Sequence, residues 1–257
     1  MNNFSVTPLP SFNSQHFVDA RSANVRSTLG ISACLVGERV RYDGAEKSFA
    51  GVELLDTALT LIPICPEVGA GLAVPRPPVQ LITTDTGLHA QGRDDATLDV
   101  TVALQHYAKM SADHFSQRIL LCGYLLKSRS PSCGLGSTPI FNTTGQQIGF
   151  GNGIQADYFQ RHFPWVHYGE ESDLDGTQAI ALFVLMCRLV FDLLQIKPND
   201  LPQAHRHYHF LSRRMVMESR EQLNELSELN NTLKYLAAFK VGCSQINPQE
   251  MLNLFCA

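Results

Sequence analysis

The sequence has no excess of positive charge. Its 257 residues include 20 Lys and Arg against 24 Asp and Glu, so the formal net charge at pH 7 is −4 and the isoelectric point is about 6.1. Proteins that bind long nucleic acids through their phosphates usually carry a strong basic field. The charge balance therefore argues against that class, although a local basic patch for a small RNA ligand is compatible with it.

Neither a secretory signal nor an uninterrupted membrane span is evident in the sequence. The first 17 residues have no basic segment followed by a long apolar stretch. The longest apolar run, 179–196, contains Arg188 and Asp192, which predicts a buried helix rather than a membrane-spanning one. We therefore expect a cytoplasmic protein that does not enter a membrane.

The cysteines form no CxxC pair and no even-numbered set of the kind that builds a disulfide framework. The chain has seven of them and is not small, so disulfides are not expected. Free thiols are typical of a reducing cytoplasm. The cysteines are Cys34, Cys65, Cys122, Cys133, Cys187, Cys243 and Cys256.

What the sequence does contain is an alternation of short apolar runs with helix-like segments. The apolar runs cover 29–36, 60–66, 79–84 and 118–126, and the clearest helical pattern covers 98–117. Strands that alternate with helices are typical of a parallel sheet, so we predict an α/β fold with a Rossmann-like sheet followed by an all-helical C-terminal region. The predicted organisation is a flexible leader at 1–28, the α/β domain at 29–170 and a helical extension at 171–257.

Three of the cysteines follow runs that are predicted to be strands. GISA leads to Cys34, LIPI leads to Cys65, and the run at 118–126 leads through a short loop to Cys133. Open parallel sheets bind ligands at the carboxyl ends of their strands, so the three thiols are expected to converge there. Converging thiolates need a metal ion or an iron–sulfur cluster between them. Three ligands leave one coordination position open, as in catalytic sites, whereas a plain buried cysteine is the alternative for each residue.

Polar residues beside these cysteines are candidates for catalysis. Glu67, two residues after Cys65, is suited to act as a general base on water, or to cap the next helix. Ser130 and Ser132 flank Cys133, and either hydroxyl is a candidate proton donor to a substrate or a turn residue.

Two loops carry weaker candidates for substrate binding. Asp43, in the RYDG stretch, either contacts a substrate or pairs with Arg41 in a turn. Arg76, between prolines in VPRPP, and Lys127 are candidates to hold an anionic or carbonyl group, with a solvated loop charge as the alternative.

Five stretches of the chain together resemble the thiouracil desulfidase family. They occur in the family's order and extend over about residues 29–165. Taken together they are specific, whereas SPSCG alone would be a weak signal. The stretches are SACLVGERVRYDG (32–44), CPEVGAGLAVPRPPVQL (65–81), DVT (99–101), LLKSRSPSCG (125–134) and GNGIQADYF (151–159).

The resemblance implies a [4Fe–4S] cluster whose ligands correspond to Cys34, Cys65 and Cys133. It implies a non-redox, hydrolytic desulfuration of a thiolated pyrimidine, in which the open iron captures the sulfur while an activated water attacks the carbon. The family's acidic residue corresponds to Glu67, and its serine corresponds to Ser130, with Ser132 as the second choice. The expected substrate is a small thiolated base or nucleoside, or a thiolated base in tRNA.

Other interpretations remain open beside the resemblance. The stretch 92–101 is longer than the family's usual Gly-x-Asp-Val-Thr, which alters the rim of the expected pocket. A non-enzymatic iron–sulfur or zinc protein, acting as a redox sensor or sulfur carrier, would use the cysteines without needing Glu67 or Ser130.

The helical extension is not explained by the resemblance. Its histidines at 205, 207 and 209 fit either a metal site or a solvated helix entry. Its leucines at 223, 226, 229 and 233 have helical spacing and fit either a packing face or a dimer face. Arg213, Arg214 and Arg220 form a modest basic cluster, which is either an RNA contact or an ordinary helix surface.

Overall fold

A four-stranded parallel sheet lies at the centre of the computed structural model, which describes residues 7–19, 26–229 and 231–256. Its strands lie in the order β2-β1-β5-β8, and every neighbouring pair is parallel. This confirms the predicted α/β fold. The strands are β1 (Thr28–Ser32), β2 (Thr60–Ile64), β5 (Leu121–Leu126) and β8 (His167–Glu170).

A second sheet contains the apolar run at 79–84, which is therefore not a strand of the parallel sheet. This run forms a hairpin with the strand after it through a two-residue turn, and hairpin partners are antiparallel. The order is β4-β3-β6-β7, with only the central pair, β3 and β6, parallel. The strands are β3 (Val79–Thr84), β4 (Gly87–Gly92), β6 (Thr138–Phe141) and β7 (Gln147–Gly151).

Two helices, α3 (Thr101–Arg118) and α4 (Ile154–His162), cover one face of the parallel sheet. Phe115 and Phe159 from these helices share a buried cluster with Tyr124 of β5. Helix α3 confirms the helix predicted at 98–117. It begins at Thr101, whose backbone N–H donates to Asp99 Oδ1 over 2.9 Å. Two short helices, α1 (Val52–Ala58) and α2 (Pro66–Gly69), flank β2.

Helix α5 (Gly176–Leu194) covers the opposite face of the sheet. Its Val184 and Cys187 belong to the same buried cluster as Leu29, Ile31 and Leu125 of the strands. The helix is long and apolar enough to cross a membrane, but 61% of its apolar window is buried inside the protein. That is the packing of a core helix, and it explains why β1 and β5 are apolar on both faces.

The chain beyond α5 is helical, as predicted, and continues the same core. Leu201, Tyr208, Leu223 and Tyr235 of this region lie in one cluster with the strand residues facing α5. The predicted boundary at 170/171 therefore does not separate two hydrophobic cores. The helices are α6 (Leu201–His207), α7 (His209–Ser212), α8 (Met217–Glu228), α9 (Thr232–Cys243) and α10 (Pro248–Phe255).

Polar residues of the extension are largely engaged in holding its helices together. His205 is buried, with Nδ1 3.0 Å from the Tyr235 hydroxyl and Nε2 2.8 Å from Asn224 Oδ1. Arg214 Nε donates to Glu250 Oε1 over 2.6 Å. Arg220 donates to main-chain carbonyls of the α7–α8 connection. These contacts favour structural roles over the metal and RNA hypotheses.

The described part of the predicted leader is packed rather than loose. Phe12 and Phe17 are 7% and 2% exposed, and both belong to the large core cluster. The fully buried carboxylate of Asp192 in α5 accepts the backbone N–H groups of Val18 (3.0 Å) and Asp19 (2.9 Å). The leader therefore covers apolar surface of the helical extension. The rest of it, at 1–6 and 20–25, lies outside the described residues.

We predict that Asp192→Ala lowers the free energy of unfolding by about 3 kcal/mol, because two part-buried backbone amides and one buried hydroxyl lose a charged acceptor. The third donor is the hydroxyl of Tyr208, 2.6 Å away. Urea denaturation measures the change. Asp113→Ala is the control, since Asp113 is exposed and pairs with Lys109 on the same helix; its effect should stay within about 0.5 kcal/mol. Equal effects of the two substitutions would contradict the prediction.

Candidate active site

The carboxyl ends of β1, β2 and β5 bring three cysteines to the wall of one cavity. Cys34 lies in the 3₁₀ turn that follows β1, Cys65 is the N-cap of α2, and Cys133 lies in the loop after β5. All three line a cavity of about 580 Å³. The expected convergence of the thiols at this edge of the sheet is therefore observed. All seven cysteines are free thiols, and the other four do not line this cavity.

The three thiols are close enough to influence one another's ionisation. Burial, with a further contribution from Cys65, raises the pKa of Cys34 to about 11. Burial also raises the pKa of Cys133, and the charges of Cys65 and Cys34 add to that rise. The pKa of Cys65 is raised by burial and by the neighbouring Glu67. Three thiolates in this position therefore require a positively charged centre.

The donor set, three cysteine thiols in one cavity wall, fits an iron–sulfur cluster. A [4Fe–4S] cluster binds its cysteines on separate irons around a larger centre. Three thiols around one cavity, with no fourth cysteine in its described wall, match such a cluster with one iron left open.

Glu67, in the first turn of α2, is held at the cavity wall by two partners. Arg76 Nε donates to Glu67 Oε2 over 2.7 Å, and Ser132 Oγ donates to Glu67 Oε1 over 2.9 Å. Arg76 also donates to the carbonyls of Val40 (2.9 Å) and Ala73 (3.1 Å), and its side chain is 5% exposed. The guanidinium predicted to hold a substrate is therefore engaged in orienting the carboxylate.

The two serines beside Cys133 have different surroundings. Ser132 is fully buried, and its hydroxyl donates to Glu67. Ser130 lines the cavity, and its Oγ accepts the backbone N–H groups of Ser132 (3.3 Å) and Cys133 (3.1 Å). A hydroxyl oxygen has two lone pairs, and the two amides can occupy both. The O–H of Ser130 therefore remains available to donate a hydrogen bond to a ligand in the cavity. The geometry favours Ser130 for contact with a ligand and Ser132 for support of Glu67.

Asp43 lies next to the cavity but is not part of its wall. Its Oδ1 accepts the N–H of Ala45 over 3.0 Å and lies 3.4 Å from Arg41 Nε. These contacts, with the neighbouring Arg41, lower the pKa of Asp43. Arg41 and Tyr42 line the cavity instead. The carboxylate thus stabilises the turn that presents these two side chains.

Basic side chains dominate the charged part of the cavity wall, and sequence reasoning missed most of them. The sequence marked only Arg76 and Lys127 as candidates to hold a ligand. The other basic residues of the wall lie in separate loops, where a charged side chain is ordinarily exposed to solvent. Arg93 enters the wall from the long 92–101 stretch, which folds back so that Gly92 N–H donates to Leu98 O over 2.7 Å. The basic residues, which face the single carboxylate of Glu67, are Arg41, Lys47, Arg76, Arg93, Lys127 and Arg129.

Helix α4 supports the Cys133 loop from behind. The N–H groups of Ile154 and Gln155 donate to the carbonyls of Pro131 (3.0 Å) and Ser132 (2.9 Å). Gly153 permits this approach, because a Cβ there would lie 2.5 Å from the carbonyl carbon of Ser132. The glycine of the GNG stretch is therefore required by packing against the loop.

Comparison with known proteins gives three matches. A model of the 2-thiouracil desulfurase family matches residues 29–171. The uncharacterized protein YbbK of Bacillus subtilis (strain 168) is 31% identical over 133 residues, which are 49% of this chain and 85% of YbbK. The solved structure of the [4Fe-4S]-dependent thiouracil desulfidase TudS is 31% identical, with a TM-score of 0.47, and the match covers 58% of this chain and 93% of TudS. Every cavity residue named above lies within 29–171.

We predict that Gly153→Ala displaces the Cys133 loop, because the new methyl group meets backbone atoms that cannot turn away. The free energy of unfolding should fall by about 1–3 kcal/mol, and iron bound per chain after anaerobic purification should fall with it. Gly149→Ala is the matched control, since nothing lies within 4 Å of a Cβ at that position. Full iron binding and unchanged stability in the Gly153 variant would contradict the prediction.

Proposed function

The chain belongs to the 2-thiouracil desulfurase family, and from that premise we propose that it removes sulfur from a thiolated pyrimidine by hydrolysis. Cys34, Cys65 and Cys133 hold the [4Fe–4S] cluster in this proposal. The observation that carries it is the presence of Glu67 and Ser130 in the wall of the same cavity as the three thiols. Hydrolytic desulfuration requires a base and a proton donor beside the three cysteines. A sulfur carrier requires neither of these groups.

A cluster held by Cys34, Cys65 and Cys133 would supply a Lewis-acidic iron, which would make the substrate's sulfur a better leaving group. The protein's part is to hold the three thiolates and offset their charge. Burial raises the pKa of Cys34, and the charges of Arg41 and Lys127 oppose part of that rise. The basic wall also attracts the negative charge that develops on sulfur as the carbon–sulfur bond breaks.

Glu67 acts as the general base in this proposal. Arg76 and Ser132 each donate to one of its oxygens, which fixes the plane of the carboxylate. A carboxylate oxygen has a second acceptor site, so either oxygen can still take a proton from a water in the cavity. That water then attacks the carbon that carries the sulfur, and general-base assistance of this kind is worth roughly 10²–10⁴ in rate.

Ser130 acts as the proton donor to the substrate. Two backbone amides donate to its oxygen, so its O–H stays available to donate to a substrate in the cavity. In a thiolated pyrimidine, a ring nitrogen next to the reacting carbon gains electron density during attack. A hydrogen bond from Ser130 to that atom strengthens as the charge grows, which is the condition for catalysis.

We propose a small thiolated base or nucleoside as the substrate. The cavity of about 580 Å³ is in the range of small-ligand pockets. A thiolated base in tRNA is the second candidate, and Arg93 and Arg129 in the cavity wall favour it because they are suited to contact a phosphate backbone. A cytoplasmic location agrees with seven free cysteines.

We predict that the anaerobically purified protein contains about four irons per chain with matching sulfide. We also predict that it converts 2-thiouracil to uracil without an added reductant, because the proposed reaction is hydrolytic. Iron and sulfide assays and chromatography of the products measure both. A colourless protein with stoichiometric zinc would contradict the cluster, and a loaded protein without turnover on base, nucleoside or tRNA would contradict the enzyme.

We predict that Glu67→Gln and Ser130→Ala each lower kcat by about 10² or more while iron content stays at the wild-type level. The physical reason is that each change removes a proton acceptor or donor without removing a thiol. Glu46→Gln and Ser48→Ala are matched controls on exposed residues outside the cavity wall and should leave kcat unchanged. Unchanged turnover in the Glu67 and Ser130 variants would contradict the catalytic roles proposed for these two residues.

A further inference from the structure

The loop 127–137 carries Ser130 and Cys133 but forms no helix or strand of its own. Its two ends are held by two adjacent carboxylates, Glu170 and Glu171, at the carboxyl end of β8. The parallel register pairs Leu126 with Glu170, so the residues that follow the two strands lie side by side. This register brings residues more than 30 positions apart in the sequence into direct contact.

Glu170 holds the far end of the loop. It is 4% exposed, and its Oε1 accepts both the N–H of Leu135 and the hydroxyl of Ser137 over 2.6 Å. Its own N–H donates to Asp173 Oδ2 over 3.1 Å, which fixes the backbone at this position. The buried carboxylate of Glu170 therefore anchors the loop at Leu135, two residues after Cys133.

Glu171 holds the start of the loop. Its Oε2 accepts the N–H of Ser128 over 2.8 Å, and its Oε1 accepts the hydroxyl of Ser128 over 2.7 Å. The same Oε1 forms an ion pair with Lys127 Nζ, whose side chain is 15% exposed and lines the cavity. Glu171 therefore positions a cation of the cavity wall as well as the backbone of the loop.

The two anchors act on a strained segment. Arg129 has φ of 59°, a left-handed conformation that a residue with a side chain adopts only where its surroundings enforce it. Its N–H donates to Ser137 Oγ over 2.7 Å, and Ser137 in turn donates to Glu170. Ser137 thus links the turn before Ser130 to the buried carboxylate.

We propose that Glu170 and Glu171 are positioning residues that together set the geometry of Ser130, Cys133 and Lys127 in the cavity. Neither carboxylate lines the cavity, so they act through the loop rather than on a ligand. The inference rests on the proposed function for the roles of Ser130 and Cys133. The contacts that carry it are independent of that function.

The first test is hydrogen exchange of the holoprotein, followed by mass spectrometry. Glu171→Gln should speed exchange in peptides that cover Ser128, and Glu170→Gln in peptides that cover Leu135, by roughly tenfold each, because each amide loses a charged acceptor. Each variant serves as the control for the other end of the loop. Glu53→Gln, an exposed acid on α1, should change neither. Unchanged protection in both loop peptides would overturn the proposal.

The second test separates positioning from general stability. Both variants should alter the electron paramagnetic resonance spectrum of the reduced cluster and lower kcat roughly tenfold or more, with KM changed by less than about twofold. Glu171→Asp, which keeps the charge, should recover part of the wild-type spectrum. A wild-type spectrum and kcat in Glu170→Gln and Glu171→Gln would overturn the proposal even if melting temperatures fall.

If either glutamine variant does not fold, Ser137→Ala and Ser128→Ala remove the neutral partners of the two anchors. The same peptides should then exchange faster, and equal exchange in wild type and serine variants would count against the proposal. Failure of the wild-type protein to bind a cluster or to act on thiolated pyrimidines would contradict the proposed function alone. The exchange experiment reports on the two anchors in either case.

Discussion

The parallel pairing of β2, β1 and β5 brings three strand ends to one edge of the sheet, and the rest of the site depends on it. Ser32 is paired with Ile64 in the register of β1 and β2, so Cys34 and Cys65 follow their strands side by side. The loop after β5 adds Cys133 to the same edge. An antiparallel arrangement of any of these strands would send its cysteine to the opposite edge.

Bringing three thiols together makes their ionised forms repel one another, and basic residues around them offset this repulsion. Burial raises the pKa of all three thiols, with repulsion from neighbouring thiols adding to the rise for Cys34 and Cys133 and repulsion from Glu67 adding to it for Cys65. The apoprotein therefore favours the neutral form of all three. A wall of basic side chains favours the thiolates that ligation needs. Several of these cations also have acidic partners: Arg76 pairs with Glu67, and Lys127 pairs with Glu171. Arg41 lies beside Asp43, and Arg93 lies beside Asp94.

Stability and chemistry come from different parts of the chain. The cavity residues lie between Ser32 and Cys133, whereas the largest core cluster joins the strands to α5 and the helices beyond it. The helical extension therefore supports the back of the sheet that carries the site. Helix α4 and the carboxylates after β8 lie between these two parts, since they contact the Cys133 loop without lining the cavity.

The sequence by itself determined the α/β class, the strand that precedes each cysteine and the edge at which the cysteines meet. Those conclusions rest on local apolar runs and on the general property that parallel sheets bind ligands at the carboxyl ends of their strands. A single sequence was therefore sufficient to reach them. Only the tertiary structure decided that the run at 79–84 forms a second sheet. It also decided that Ser130 faces the cavity while Ser132 supports Glu67, and it revealed the roles of Glu170 and Glu171. The reason is that a hydroxyl or carboxylate takes its role from its hydrogen-bond partner. Glu67 and Ser132 are 65 positions apart, and no local pattern records that contact.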